Sequence, residues 1–227
     1  MSCYYITATD TDAGKTYVTS LLLQQARLSK ISALGLKPIA SGIVENEITD
    51  LDLIIAAMAN KNSQTDINYY QYKPAIAPHL AAKQNNETID SKQLVNWINQ
   101  KKSCDLTLIE GVGGLLVPLN DTETQVDLIK QLDIPVIVVV NIKTGCINHA
   151  LLTFNQIKAS GLTMKAWIAN QVKNDIDLEN IQSIENFSGT RCALKIAKQK
   201  TTSEEFYQQL LSDKTINNEL NSFIYQL

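Results

Sequence analysis

The run Pro135-Val136-Ile137-Val138-Val139-Val140-Asn141 is almost wholly apolar and rich in β-branched residues, and it restricts the fold more than any other stretch of the chain. A strand with one wet face alternates apolar and polar residues. One that does not alternate must be covered on both faces, which points to a parallel sheet between helices. Shorter runs of the same kind occur at Cys3 to Ile6, Ala33 to Leu36 with Lys37-Pro38 closing it, Asp105 to Glu110, and Lys165 to Asn170. Helical apolar spacing fills 14–29, 124–132, 146–160 and 177–187, so strands and helices alternate. This alternation predicts an α/β fold with a doubly wound, mostly parallel sheet flanked by helices.

Further helices are expected at Leu51 to Met58, with Asp50 at or near the start, and at Ser91 to Gln100, capped by Asp90 or Ser91. The Asn/Gln-rich region 60–90 reads as loop with short helical pieces, and 203–227 as a packing helix. With 227 residues, 44% of them apolar, the chain can bury a full core, and a single domain over 1–227 is expected.

A net charge of −3 argues against a partner held through a basic face, so no nucleic acid is expected. Cys3, Cys104, Cys146 and Cys192 are scattered without metal spacing and suggest reduced, mostly buried thiols. His79 and His149 lack partners at ligand spacing, which makes zinc improbable. The absence of a signal-like start or a long apolar run predicts a soluble, cytoplasmic protein with no membrane partner.

The first strand run leads into Ala8-Thr9-Asp10-Thr11-Asp12-Ala13-Gly14-Lys15-Thr16, and a helical pattern follows. A strand, a tight turn and a helix start aim backbone N–H groups and the helix dipole at one point, which suits a polyphosphate. Lys15 adds charge for the β- and γ-phosphates, and the Thr16 hydroxyl is suited to Mg²⁺. Thr9 stands where the general phosphate-loop pattern has glycine.

Each strand run also ends at its carboxyl side in a polar residue: Lys37, Glu110, Asn141 and Asn170. In an open α/β sheet these ends and the loop 8–16 should face one crevice. Glu110 precedes the flexible turn Gly111-Val112-Gly113-Gly114 and could hold Mg²⁺. Asp50 offers a second carboxylate, with Asp52 as its rival. Lys37 would stabilise charge on a transferring phosphoryl group, the alternative being a solvated lysine. Ser41, in a Gly-containing turn, would bind substrate or cap the turn. Asn141 has a plain alternative as a strand end meeting solvent. Gly145 to Asn148, at a helix start, form another candidate anion site.

Thr9-Asp10-Thr11 with Gly14-Lys15-Thr16, Lys37-Pro38 with Ser41-Gly42, Glu110 to Gly114 with Pro118-Leu119, Gly145 to Ala150, and Ala169-Asn170 together resemble dethiobiotin synthetase in order and separation, over about residues 3 to 172. The resemblance implies a homodimeric P-loop NTPase-type enzyme of biotin synthesis. Its co-substrate would be ATP and its cofactor Mg²⁺, closing a cyclic urea on 7,8-diaminopelargonate with CO₂ or bicarbonate through a carbamate and a carbamic-phosphoric anhydride.

By the same resemblance Lys15 and Lys37 are catalytic, and Thr16, Asp50 and Glu110 hold the metal. Asp12, Ala13, Gly14, Lys15, Thr16 and Tyr17 wrap the phosphates, with Asp50, Glu110, Gly113 and Asn170 completing the ATP site and Asn170 reading adenine. Thr11, Lys37, Ser41 and Gly113 contact the diamine or its carbamate. Gly145, Cys146, Ile147 and Asn148 receive the substrate's far carboxylate across the dimer.

Two departures from the family pattern stand in the chain: Ala8 replaces a glycine, and Leu194 to Lys198 replaces a Gly-x-Ile-Pro segment that lines the adenine pocket. The competing assignments are a cobyrinate-synthetase-like ATP domain, which would continue into a glutaminase domain, and a partitioning-type ATPase switch, whose early loop lysine has no counterpart in Ala8 to Ala13.

Overall fold

Ser2–Ala8 forms β1, which lies inside a six-stranded parallel sheet and is bonded to a strand on each side. A computed structural model describes residues 1–44, 47–59, 62–102, 104–198, 202–211 and 218–227. After β1 come α1 (Lys15–Leu28), β2 (Ala33–Leu36), β3 (Ile39–Ser41), α2 (Asp50–Met58), α3 (Gln64–Ile67), β4 (Tyr70–Tyr72) and α4 (Pro78–Gln84). The middle of the chain forms α5 (Ser91–Lys101), β5 (Leu106–Glu110), α6 (Gln125–Leu132), β6 (Val136–Asn141) and α7 (Cys146–Ala159). The remainder forms β7 (Met164–Val172), α8 (Asp175–Ser188), β8 (Leu194–Ala197), α9 (Ser203–Leu211) and α10 (Asn218–Ile224).

The main sheet runs β2-β5-β1-β6-β7-β8, and β3 and β4 pair separately. From β1 the chain moves one way to β2, and from β6 it moves the other way to β7 and β8. Right-handed crossovers therefore send the helices of the two directions to opposite faces. The packing agrees: α1, α2, α9 and α10 cluster together, while α5 packs on α6 and α7 on α8. Covered on both sides, Ile137 to Val140 of β6 are fully buried, as their uninterrupted apolar run requires. The strand order reverses at β1, so the crevice beyond its carboxyl end is the expected ligand position.

Several expectations need correction. Leu194 to Ala197 is a sixth strand, with Leu194 and Ile196 buried and Lys195 and Ala197 exposed, as suits an edge strand covered on one face. The stretch after Pro38 is a strand too, because Pro38 ends one ladder while its carbonyl accepts from the Tyr69 and Tyr70 amides and starts another. The segment 203–227 carries two helices, α9 and α10, with 212–217 outside the described residues. Of the four free cysteines only Cys146 is buried. Among the described residues no helix is long and apolar enough to cross a membrane.

Gly35 of β2 marks the closest approach of helices to the sheet. A Cβ there would stand 2.5 Å from Leu23 Cδ1 and 2.7 Å from Ile54 Cγ2, both on fully buried side chains of α1 and α2. Neither side chain has room to retreat. Gly35→Ala is therefore expected to cost about 1–3 kcal/mol of overpacking, read as a lower urea midpoint at unchanged slope.

Candidate active site

The loop between β1 and α1 takes its shape from two left-handed residues, Asp12 at φ 57° and Gly14 at φ 87°. Gly14 is needed on a second ground, since a Cβ there would lie 2.1 Å from Asn170 Nδ2. That nitrogen donates to the Ala13 carbonyl at 2.9 Å, so β7 supports the loop from beneath. Ala8 is the last residue of β1, fully buried, and is not among the positive-φ residues. A methyl group is accommodated without left-handed strain. Lys143 Nζ bonds Asp10 Oδ2 at 2.9 Å and holds the Asp10 carboxyl below its ordinary range.

Around the first turn of α1 the charges interlock. Glu110, at the end of β5, is 1% exposed; its Oε1 accepts from Lys37 Nζ at 2.8 Å and from Thr16 Oγ1 at 2.6 Å. Lys37 also pairs with Asp50. Its backbone is fixed as well, because its N–H donates to the Ile67 carbonyl at 2.9 Å and its carbonyl accepts from Asn68 Nδ2 at 2.7 Å. Burial opposes the Lys37 charge, yet Glu110 and Asp50 hold its pKa above the ordinary lysine range. Lys15 Nζ donates to the Gly113 carbonyl at 2.7 Å, and burial pushes its pKa down against the pull of Glu110.

Helix capping distinguishes Asp52 from Asp50. Thr49 is the N-cap of α2 and accepts from the Asp52 amide, while the Asp52 carboxylate accepts from the Thr49 N–H at 2.9 Å and hydroxyl at 2.7 Å. Asp52 is occupied with the fold. Asp50, one residue inside the helix, is free to turn toward Lys37.

Thr16, Asp50 and Glu110 thus offer three oxygen donors in one place, and Glu110 Oε2 is buried without a hydrogen-bond partner. Hard oxygen donors of this kind fit Mg²⁺, which takes few protein ligands and completes its shell with phosphates and water. Among the described residues no cluster of three His, Cys, Asp or Glu side chains is placed to hold a metal ion.

A cleft of about 590 Å³ opens above these groups. It is lined by Thr11, Asp12, Gly14 to Tyr17, Lys37, Ser41, Asp50, Glu110, Gly113 and Asn170. Ala13 is buried below it, and Asn141 is not on its wall. Gly145 to Asn148 lie elsewhere, in a second cleft of about 470 Å³ beside Leu151, Asn180 and Phe187. Lys198 is on the wall as well, at the end of the Leu194 to Lys198 segment, while Gln171, Thr202, Ser203 and Phe206 complete a side of the cleft that no sequence motif marked. The Phe206 ring lies 4.5 Å from that of Tyr17, centroid to centroid. The apolar-polar-apolar order of Leu194, Lys195 and Ile196 is the sequence signal for β8, which leads to Lys198.

A family model described as an AAA domain matches residues 2–206. The ATP-dependent dethiobiotin synthetase of Francisella tularensis is 40% identical over 204 residues, covering 87% of this chain and 91% of that one. The enzyme of the same name from Cellvibrio japonicus is 42% identical over 189 residues, covering 80% and 82%. Among solved structures, the MinD cell division protein of Aquifex aeolicus aligns over 100% of this chain and 95% of its own with a TM-score of 0.61 and 14% identity, a likeness of fold.

The Asp50 carboxyl has a defined pH signature. Burial alone would raise its pKa, but Lys37 and then the Thr16 hydroxyl overcome this and hold it below the usual carboxylate range. Its folded pKa being depressed, its contribution to stability is complete above about pH 4, the unfolded value, and is lost as pH falls through the lower folded value. Urea denaturation across a pH series should find wild type more stable than Asp50→Asn at neutral pH, with the difference closing in acid. A difference independent of pH would contradict the pairing.

Proposed function

The chain belongs to the dethiobiotin synthetase family and is an ATP-dependent cyclo-ligase that forms dethiobiotin in biotin biosynthesis, and on that premise we propose how its cleft carries out the reaction. The observation that carries the proposal is the meeting of Lys15, Lys37, Thr16, Asp50 and Glu110 at one end of a single cleft.

The substrate is 7,8-diaminopelargonate. One neutral amine adds to CO₂ and loses a proton, giving a carbamate. A carbamate oxygen then attacks the γ-phosphate of ATP and ADP leaves. The second amine attacks the carbon of the resulting anhydride, expelling phosphate and closing the urea ring. No covalent bond to the protein is needed, so the protein's work is positioning and charge stabilisation.

The backbone from Asp12 to Tyr17 wraps the phosphates, and Lys15 leaves the Gly113 carbonyl to reach them. Lys37, kept protonated by its two carboxylates, faces the transferring group and the carbamate. Thr16, Asp50 and Glu110 would hold Mg²⁺, which would supply positive charge against the phosphates. Thr11, Ser41 and Gly113 meet the diamine end, and Asn170 the nucleobase. Gly145 to Asn148, standing in a separate cleft, suit the far carboxylate of a substrate bound by a second copy, which supports a homodimer. The exposed Phe187 on the wall of this second cleft is in keeping with an apolar contact there.

ADP release should require the diamine and bicarbonate together, with the cyclic urea appearing in the mass spectrum at the same rate. ATP turnover indifferent to the diamine would refute the proposal. Lys37→Ala should bind ATP within a few-fold of wild type and lose ring closure by about 10²-fold or more, comparable to removing a donor to a developing anion. Equal loss of both would assign Lys37 to ground-state binding.

A further inference from the structure

We propose that Gln125 is a positioning residue for this reaction, acting through the Gly111-Val112-Gly113-Gly114 turn. Gln125 is the first residue of α6, 1% exposed, and does not line the cleft. Its helix start is itself fixed by the capping box of Thr124 and Asp127.

Every hydrogen-bonding capacity of its carboxamide is used. Oε1 accepts from the Tyr5 hydroxyl at 2.7 Å and from the Val112 N–H at 2.9 Å. Nε2 donates to the Val112 carbonyl at 2.7 Å and to the Gly114 carbonyl at 2.6 Å. Two acceptor and two donor sites are the full complement of this side chain, and all four are matched. Three of the four bonds grip one turn of backbone.

The grip leaves no slack. A Cβ on Gly111 would lie 2.4 Å from Gln125 Oε1 and 2.8 Å from Tyr5 Cε1. Gly111 N–H is tied to the Ile6 carbonyl at 2.9 Å, so the turn is held to β1 from one side and to α6 from the other. At its two ends stand the groups of the cleft. Glu110, immediately before it, receives Lys37 and Thr16; Gly113, inside it, receives Lys15. Gln125 therefore sets where Gly113 and Val112 stand relative to the reacting end of the substrate without touching it. A shift of about 1 Å in such a wall can cost about 10²-fold in rate.

The phosphates are bound by the loop before α1, which Gln125 does not touch. Losing the carboxamide should thus separate two quantities that a general loss of structure would lower together. Gln125→Met keeps the volume and removes all four bonds; Gln125→Glu keeps the acceptor oxygen and removes the two donors. Should the first fail to fold, the second is measured in the same way.

The inference rests on the assignment of the cleft given above. Expected for the folded variant is an ATP affinity within about 3-fold of wild type, a diamine kcat/KM reduced about tenfold or more, and faster amide exchange at Val112. Unchanged exchange at Val112, diamine turnover equal to wild type, or an ATP affinity that falls in step with turnover would each overturn it. Wild type that formed no cyclic urea would remove the assignment and the inference together, and would be recognised without any variant.

Discussion

A carboxylate cannot stay ionised and buried at a strand end unless a positive charge is buried with it. Glu110 and Lys37 are both nearly inaccessible and 2.8 Å apart, and desolvating either alone would cost several kcal/mol. The pairing is set by the sheet, since the parallel register of β2 on β5 aligns Leu36 with Ile109 and leaves Lys37 and Glu110 side by side one residue on. Thr16 then brings the first turn of α1 to the same oxygen atom, and Asp50 brings α2 to the same lysine. Four elements thus depend on one interaction, and removing a single partner would leave the others facing an uncompensated charge.

The central sheet was legible because long β-branched runs admit few environments. The phosphate loop was legible because its lysine and threonine follow a strand and open a helix. What could not be read were contacts whose partners are far apart in sequence. Asn68, which orients the Lys37 backbone, sits in an Asn/Gln-rich stretch with no periodicity to mark it. Gln125 looks like any first residue of a helix until Tyr5 and Val112 are folded against it. The expected convergence of polar strand ends holds for Lys37, Glu110 and Asn170 but not for Asn141, which is off the cleft wall. Side-chain periodicity fixes which strand a residue ends; it does not fix which way that residue points.

The likeness to a MinD protein is a likeness of architecture. A parallel sheet with its order reversed at β1 presents a nucleotide crevice whatever the chemistry done there, so the fold alone does not separate a ligase from a switch. The separation lies in what lines the rest of the crevice. Here that is a second lysine buried between two carboxylates, its backbone fixed by Ile67 and Asn68. The absence of a lysine between Ala8 and Ala13 removes the residue expected of a partitioning ATPase.

Lys15 donates to the Gly113 carbonyl. In the phosphate-binding role proposed for Lys15, the nucleotide would have to win the lysine from an acceptor built into the polypeptide. Binding would then be an exchange of one acceptor for another, with a correspondingly modest net gain. After phosphoryl transfer the same carbonyl would compete for the lysine against a product with one phosphate fewer. On that reading Gly113 would be an internal rival that loses to the substrate and regains ground against the product, favouring turnover over retention.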